Sequence, residues 1–277
     1  MSILTYNFES EYLKNNHEVT VILPDKPRAL TPEEFYRSGR KYKVLWLLHG
    51  TFGDHTDWVR KTNIEMYATE RNLVVVMPSA LNSNYSNWDK VMMGYDMFDY
   101  LTEELMSLIY GWLPVSDKRE DNFISGLSMG GGGALKYAVN HPEKFAAAAI
   151  LSAPATNLEE ISPDSPYPLL NSAADRLKNT LENAGGLEAY KNSYENVWGL
   201  IDKLAPTGKL PRLMFACGTD DMLYDLHEHF QKHCEEIGLE AHWFLRDGFR
   251  HEWRFWDLAI QEALDFFGLT ERGGNPY

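Results

Sequence analysis

The stretch NFISGLSMGGGGALKYAVN (residues 122–140) combines a strand-like segment, a glycine-rich turn and a helix-like segment. Between strand and helix, residues 126–130 match the pattern G-x-S-x-G, and this context is typical of a nucleophile elbow. In such an elbow the serine lies on a sharp turn at the carboxyl edge of a sheet, and the glycines allow close backbone packing. The stretch therefore predicts Ser128 as a nucleophile. The alternative interpretation is a tight turn that needs glycines and also contains a serine.

Apolar runs of strand length alternate with helix-like segments along most of the chain. The continuous apolar run Val44–Leu48 is typical of a strand that is covered on both faces. This alternation predicts an α/β fold with a doubly wound, mostly parallel sheet, in which ligands bind at the carboxyl ends of the strands. Residues 24–41 are interpreted as a surface loop. The predicted strands are 19–23, 44–48, 73–77, 123–125, 147–151, 213–216 and 241–245, and the predicted helices are 63–71, 97–109, 131–140, 223–237 and 253–266.

Residues 153–210 interrupt this alternation. They contain four prolines between residues 154 and 168, a Gly185-Gly186 pair, and helix-like stretches at 173–181 and 187–200. We interpret the chain as a single domain, residues 1–277, with 153–210 as a lid-like insertion that rises near Ser128 and shapes the substrate pocket. The alternative is a packing elaboration far from the reacting groups.

Composition excludes several classes of protein. The 277 residues have a formal net charge of −14, which argues against nucleic acid or an anionic membrane as the main partner. The two cysteines do not suggest a disulfide framework. Residues 1–11 lack a basic segment followed by an apolar core, and no apolar run approaches the roughly 20 residues that a membrane span needs. We therefore expect a cytoplasmic protein.

A serine nucleophile needs a base, and the base needs an orienting carboxylate. In the chain order typical of such elbows the acid follows a later strand and the histidine comes last. The strand-like run LMFA (213–216) leads into CGTDD, and the last predicted strand leads into RDGFRH, which ends at His251. His251 is therefore the predicted general base. The spacing alone leaves the acid open between Asp220 and Asp221.

Acyl transfer also requires N–H donors for the developing oxyanion. One donor is predicted to be the backbone N–H of Met129, which follows the nucleophile at the start of a helix. The loop HGTFG (49–53) follows an earlier strand and supplies the second donor, for which we choose Thr51, with Phe52 as the alternative. His49 is expected to support this loop by hydrogen bonding without transferring a proton.

Two other histidines raise the question of a metal site. His229 and His233 are four residues apart in one predicted helix, so they share a face. They lack an obvious acidic third ligand, and surface histidines are the favoured interpretation. No metal site is therefore predicted.

Five segments together resemble the esterase D / tributyrin esterase group of the α/β-hydrolases. The resemblance implies an α/β-hydrolase fold and hydrolysis of carboxylic esters without a cofactor. The family acid stands three residues after a glycine, which implies Asp221, and the matching nucleophile and base are Ser128 and His251. The resembling segments are LLHGTFGDHTDW (47–58), VVVMPSA (74–80), ISGLSMGGGGALKYAVNHPEKF (124–145), GTDDMLYD (218–225) and GFRHEWRFWD (248–257).

Two departures from the family pattern concern the substrate. Members of the group cleave short acyl esters, acetyl or feruloyl groups on plant polysaccharides, or S-formylglutathione. The formylglutathione branch usually has a cysteine in the oxyanion loop, and here that loop reads TFGDH (51–55), which argues against the thioester substrate. Relatives also commonly place an aromatic residue within the run Gly130-Gly131-Gly132-Gly133. The glycines here either leave space for an acyl group or allow close packing.

The sequence thus predicts a serine carboxylesterase for short-chain acyl or feruloyl esters, with acylated plant oligosaccharides as a hypothetical substrate. The alternatives are an S-formylglutathione hydrolase-like thioesterase, an acyltransferase on the same fold and a binding protein that lacks catalysis. A homo-oligomer is compatible with the family resemblance. Aromatic residues proposed for the substrate pocket are Phe52, Trp58, Trp198 and Trp253.

Overall fold

The computed structural model of the chain describes residues 2–91, 93–160 and 174–270. Its strands are β1 (Ser2–Ser10), β2 (Asn15–Leu23), β3 (Val44–Leu48), β4 (Val74–Pro78), β5 (Asn122–Leu127), β6 (Ala147–Leu151), β7 (Arg212–Gly218) and β8 (His242–Arg246). They form one eight-stranded sheet in the order β1-β2-β4-β3-β5-β6-β7-β8. β2 runs antiparallel to both neighbours, and β3 to β8 run parallel to one another. The predicted mostly parallel sheet is confirmed.

Helices connect the strands and cover both faces of the sheet. A π-helical turn, Tyr100–Leu105, joins two of them, and short 3₁₀ turns occupy Arg119–Asp121, Leu158–Glu160 and Ala205–Thr207. The helices are Pro32–Tyr36, Asp57–Lys61, Ile64–Glu70, Met97–Asp99, Met106–Trp112, Met129–Asn140, Ala174–Asn183, Leu187–Lys191, Val197–Leu204, Tyr224–Glu236 and Trp253–Phe266. We call Met129–Asn140 the elbow helix.

Every residue of the central strands β3 to β6 is buried. Alternate side chains of β3 enter two different cores: Trp46 packs with the elbow helix on one face, and Leu45 and Leu47 pack with helix Trp253–Phe266 on the other. This double coverage explains why the strands are continuous apolar runs instead of alternating ones.

Some helices and strands differ from the predictions where the sequence pattern is short or weak. Residues 24–41 were predicted as a loop, yet they contain the helix Pro32–Tyr36. Thr31 caps this helix, since Thr31 and Glu34 form a reciprocal capping box and proline suits the first helical position. Strand β1 was not predicted, and its mostly exposed residues explain why it lacks a clear apolar pattern.

Part of the predicted insertion lies beside the elbow helix. Helix Val197–Leu204 packs against it, and Asn140 donates a hydrogen bond to the Tyr194 carbonyl at 3.0 Å. Residues 161–173, with three of the prolines, lie outside the described residues. The division into one domain with an insertion stays a prediction. No helix within the described ranges is both long and apolar enough to cross a membrane.

A buried histidine makes the stability of this fold depend on pH. His227 lies on helix Tyr224–Glu236 between the rings of Phe215 and Trp243, and neither ring nitrogen has a hydrogen-bond partner in the described part of the chain. Burial lowers the pKa of His227 to about 4, and the nearby charge of Asp221 opposes this only partly. Between pH 6.5 and 4 the unfolded chain therefore binds a proton that the folded chain does not, so stability falls as the pH falls.

We expect His227→Phe to remove this part of the pH dependence. Between pH 7 and pH 5 the free energy of unfolding of the variant should fall by about 2 kcal/mol less than that of the original chain, because the phenyl ring takes up no proton in the folded or the unfolded state. Urea unfolding at the two pH values measures the difference. If the variant and the original chain lost the same free energy of unfolding over this pH range, His227 would have to take up its proton freely in the folded protein.

Candidate active site

Ser128 stands in the turn between β5 and the elbow helix. Its backbone has φ 51° and ψ −121°, a conformation that costs a non-glycine residue about 1–3 kcal/mol. The turn is held by close packing, since a β-carbon at Gly130 would come within 2.5 Å of the carbonyl oxygens of Leu48 and His49. The glycine allows the helix to begin directly against β3, and this places the serine hydroxyl at the carboxyl edge of the sheet.

The strands β5, β7 and β8 are parallel, so the residues that follow them meet at this edge. His251 Nε2 lies 2.9 Å from Ser128 Oγ, and His251 Nδ1 lies 3.0 and 2.9 Å from the two carboxylate oxygens of Asp221. The carboxylate can only accept, so Nδ1 carries the proton and Nε2 is left to accept the serine hydroxyl proton. The structure thus brings together the three side chains chosen from the sequence.

The carboxylate of Asp221 is kept ionised by its surroundings. Burial by itself would raise the pKa of Asp221, but the hydrogen bond and the electrostatic attraction from the His251 ring, together with the hydrogen bond from the Leu223 N–H, outweigh it and lower the pKa. Asp220 is exposed, and its N–H donates to the Phe249 carbonyl at 3.0 Å. Of the two adjacent aspartates, Asp221 is the one in contact with the imidazole.

Trp256, an aromatic residue that the sequence places near the site, packs against the imidazole, and Ser152, which was not recognised from the sequence, bonds to Trp256 in turn. Trp256 meets the His251 ring edge-on at a centroid distance of 5.0 Å. Its indole N–H donates to the hydroxyl of Ser152 at 3.1 Å. Ser152 directly follows β6 at the same sheet edge, and this position is the one signal by which it could have been recognised.

The loop after β3 lies directly beside the elbow. A β-carbon on Gly50 would be 2.5 Å from Leu127 Cδ1 and 3.5 Å from the β-carbon of Ser128, so the residue before Thr51 packs against the elbow. The N–H of Phe52 donates to the side chain of Asn82 at 2.9 Å and is therefore engaged elsewhere. Thr51 and Met129 remain the candidate oxyanion donors, and Met129 is the first residue of the elbow helix, where N–H groups point away from the helix.

His49 holds this loop in place. It is 1% exposed, its Nε2 accepts the Ala80 N–H at 2.8 Å, and its Nδ1–H donates to the Gly50 carbonyl at 2.7 Å. Burial lowers the pKa of His49, so the ring stays neutral. These contacts agree with the expected supporting role.

A cavity of about 280 Å³ opens beside Ser128 on the side of the elbow helix. Its walls are mostly apolar, and several come from the predicted insertion. A buried ion pair, in which Lys136 Nζ lies 2.7 Å from a Glu195 carboxylate oxygen, forms part of its lining. The lining residues are Asn84, Ser128, Met129, Gly132, Leu135, Lys136, Ser152, Ala153, Pro154, Ala155, Thr156, Leu158, Leu177, Thr180, Tyr190, Glu195, Val197, Leu223 and Leu226.

The four aromatic residues predicted for the pocket do not line this cavity. Trp58 is buried, donates its indole N–H to the Leu48 carbonyl at 3.0 Å, and packs edge-on against Trp253. Trp198 stacks on His233 at 4.1 Å, and Phe52 is 92% exposed. Core packing explains the positions of Trp58 and Trp198, since an indole buries a large apolar surface in a core as well as in a substrate pocket.

The two histidines considered as metal ligands have separate carboxylate partners. His229 Nε2 lies 2.9 Å from Glu160, and His233 Nε2 lies 2.6 Å from Asp202. Both carboxylates belong to the 153–210 segment, so these pairs join it to helix Tyr224–Glu236. Within residues 2–91, 93–160 and 174–270, no group of three metal-ligating side chains occurs.

Solved structures with similar folds define the class of protein. The fluorophosphonate-binding serine hydrolase F (FphF) of Staphylococcus aureus is 30% identical, with a TM-score of 0.78, over 96% of this chain and 98% of its own. The S-formylglutathione hydrolase FrmB of the same organism is 28% identical, with a TM-score of 0.76 and the same coverage. The fold is therefore that of the α/β-hydrolases, and the chain is a serine hydrolase.

Sequence relatives narrow this class. The family described as "Putative esterase" matches residues 10–265. An acetyl esterase of Caldicellulosiruptor saccharolyticus is 30% identical over 269 residues, which span 96% of this chain and 98% of that protein. The chain belongs to this esterase family and is a serine carboxylic ester hydrolase.

Proposed function

We propose that the enzyme hydrolyses esters of short-chain or feruloyl acids through an acyl-enzyme on Ser128. The observation that carries the proposal is the hydrogen-bonded series Asp221–His251–Ser128 at the mouth of an apolar cavity. Similarity to an acetyl esterase supports acetyl among the acyl groups. Acylated plant oligosaccharides remain the proposed natural source of such esters.

In the acylation step, His251 Nε2 takes the hydroxyl proton of Ser128 while Oγ forms a bond to the ester carbonyl carbon. The carbonyl electron pair moves to oxygen, and the N–H groups of Thr51 and Met129 stabilise the resulting oxyanion. When this electron pair forms the carbonyl double bond again, the bond to the leaving oxygen breaks, and that oxygen takes the proton from Nε2. Asp221 stabilises the transient imidazolium and keeps the ring oriented.

Deacylation repeats these steps with water in place of the serine. His251 removes a proton from water, the hydroxide forms a bond to the acyl carbon, and the ester bond to Oγ breaks. Ser128 recovers its proton from the imidazolium, and the acid is released. The step consumes one water and needs no cofactor in this scheme.

A thioesterase acting on S-formylglutathione is the second candidate, because FrmB is 28% identical over nearly the whole chain. The oxyanion loop 51–55 lacks a cysteine, and the net charge of −14 does not favour an anionic thioester substrate. We therefore rank the oxygen ester first. A kcat/KM for S-formylglutathione above that for p-nitrophenyl acetate would reverse this order.

The proposal is tested by labelling and by product analysis. A fluorophosphonate probe should label the protein once per chain, and the labelled peptide should contain Ser128. Acetyl, butyryl and feruloyl esters should be hydrolysed, with free acid as the product when other alcohols compete with water. An unlabelled protein would be a binder, and dominant transfer to an alcohol would indicate an acyltransferase. The cytoplasmic location and the oligomeric state stay predictions.

A further inference from the structure

The four consecutive glycines of the elbow helix differ in their surroundings. A β-carbon at Gly130 would overlap the backbone at the end of β3, and one at Gly131 would be 2.8 Å from the Ala153 β-carbon. A β-carbon at Gly133 would be 2.5 Å from the Tyr85 ring. Close packing therefore accounts for glycine at these three positions.

Close packing does not explain why position 132 is a glycine. Gly132 has ordinary helical backbone, and a β-carbon built on it meets no heavy atom of the described residues within 4 Å. Glycine is the poorest helix former after proline, so the fold itself would be served better by alanine. The space that a side chain would occupy here belongs to the cavity, since Gly132 is among its lining residues.

The cavity follows one face of the elbow helix. Ser128, Gly132, Leu135 and Lys136 are spaced as neighbours on consecutive turns, and all four line it. Gly132 lies one turn beyond the nucleophile, about 6 Å along the helix axis. An acetyl group on Ser128 is too short to reach that point, whereas a longer acyl group would pass over Gly132 between the helix and the apolar wall of residues 153–158.

The position of the imidazole indicates which part of the ester enters the cavity. The leaving oxygen must lie near His251 Nε2 to receive its proton. Among the described residues, the lining of the cavity includes Ser128 and Met129 but not His251. Because this lining lacks the imidazole that protonates the leaving oxygen, the acyl group is the better match to the cavity.

We propose that Gly132 is a specificity-determining residue that keeps the acyl cavity open for an extended apolar acyl group, longer than acetyl. This inference rests on the proposed function and specifies which acyl groups the enzyme accepts. Leu135 and the Lys136–Glu195 pair lie farther along the same helix face and bound the length of that group.

The experiment compares Gly132→Ala and Gly132→Phe with Gly111→Ala. Gly111 also lies in a helix, and no described residue comes within 4 Å of a β-carbon built on it, but it is exposed on Met106–Trp112 and does not line the cavity. Both alanine variants should raise Tm by about 2–4 °C, because both improve helix propensity. The kcat/KM values are measured for p-nitrophenyl esters from acetyl to octanoyl, and for acetyl esters of alcohols of increasing size.

We expect the ratio of hexanoyl to acetyl kcat/KM to fall by about 10- to 200-fold in Gly132→Phe, by less in Gly132→Ala, and not at all in Gly111→Ala. An unchanged ratio in both Gly132 variants would overturn the inference, as would a change that follows the size of the alcohol. Loss of all ester hydrolysis and of fluorophosphonate labelling by the original chain would instead contradict the proposed function. If Gly132→Phe fails to fold, the ratio for Gly132→Ala decides.

Discussion

Ser128→Ala is expected to lower kcat for p-nitrophenyl acetate by about a million-fold, the size of loss that removal of the nucleophile causes in other triad hydrolases. Without Oγ no acyl-enzyme can form, and His251 has no hydroxyl proton to accept. The fold should persist, because alanine keeps the β-carbon and, among the residues that the structure describes, the hydroxyl bonds only to His251 Nε2. Steady-state rates and fluorophosphonate labelling measure the effect.

The matched control for this variant is Ser107→Ala, which removes an exposed serine hydroxyl whose bond is to the Glu103 carbonyl. It should retain both hydrolysis and labelling. A folded Ser128→Ala protein with a tenth or more of the original rate would exclude the serine from the proposed role.

Asp221→Asn is expected to lower kcat by about ten thousand-fold. The asparagine amide donates where the carboxylate accepts, so it favours the tautomer with the proton on His251 Nε2. That nitrogen then cannot accept the Ser128 proton, and the imidazolium loses the nearby negative charge. The size of the side chain is unchanged, so the packing should stay intact.

Asp220→Asn supplies the matched comparison, since it makes the same chemical change at the adjacent, exposed position. We expect its kcat to stay within about threefold of the original value. Rates are measured for both variants at pH 7, with circular dichroism as the check on folding. Equal losses in the two variants, or a larger loss at Asp220, would contradict the assignment of the acid.

The catalytic candidates could be predicted because each stands in a short local pattern. Ser128, Asp221 and His251 all follow apolar runs that end at one edge of a parallel sheet, and that geometry brings distant parts of the chain together. The spacing alone did not separate Asp220 from Asp221, because that choice depends on how the turn after β7 directs two adjacent side chains.

The cavity could not be predicted from local patterns. Its walls come from the elbow helix, the end of β6 and the 153–210 segment, which meet only in the folded chain. The proposed pocket residues Trp58 and Trp198 show the difficulty, because a tryptophan near a motif packs equally well in a core. Gly132 was visible as part of an unusual glycine run, but its neighbours had to be known before it could be distinguished from the other three.

The position of β8 at the margin of the sheet has a consequence for how the enzyme is inactivated. Within the described ranges β8 has one neighbouring strand, β7, and only Phe244 of its five residues is buried, whereas β5 lies in the centre of the sheet. Segments of this kind open locally at a lower free energy than a central strand. Fraying of β8 would carry the base away from a nucleophile that is still correctly held, so turnover would be lost before the chain as a whole denatures.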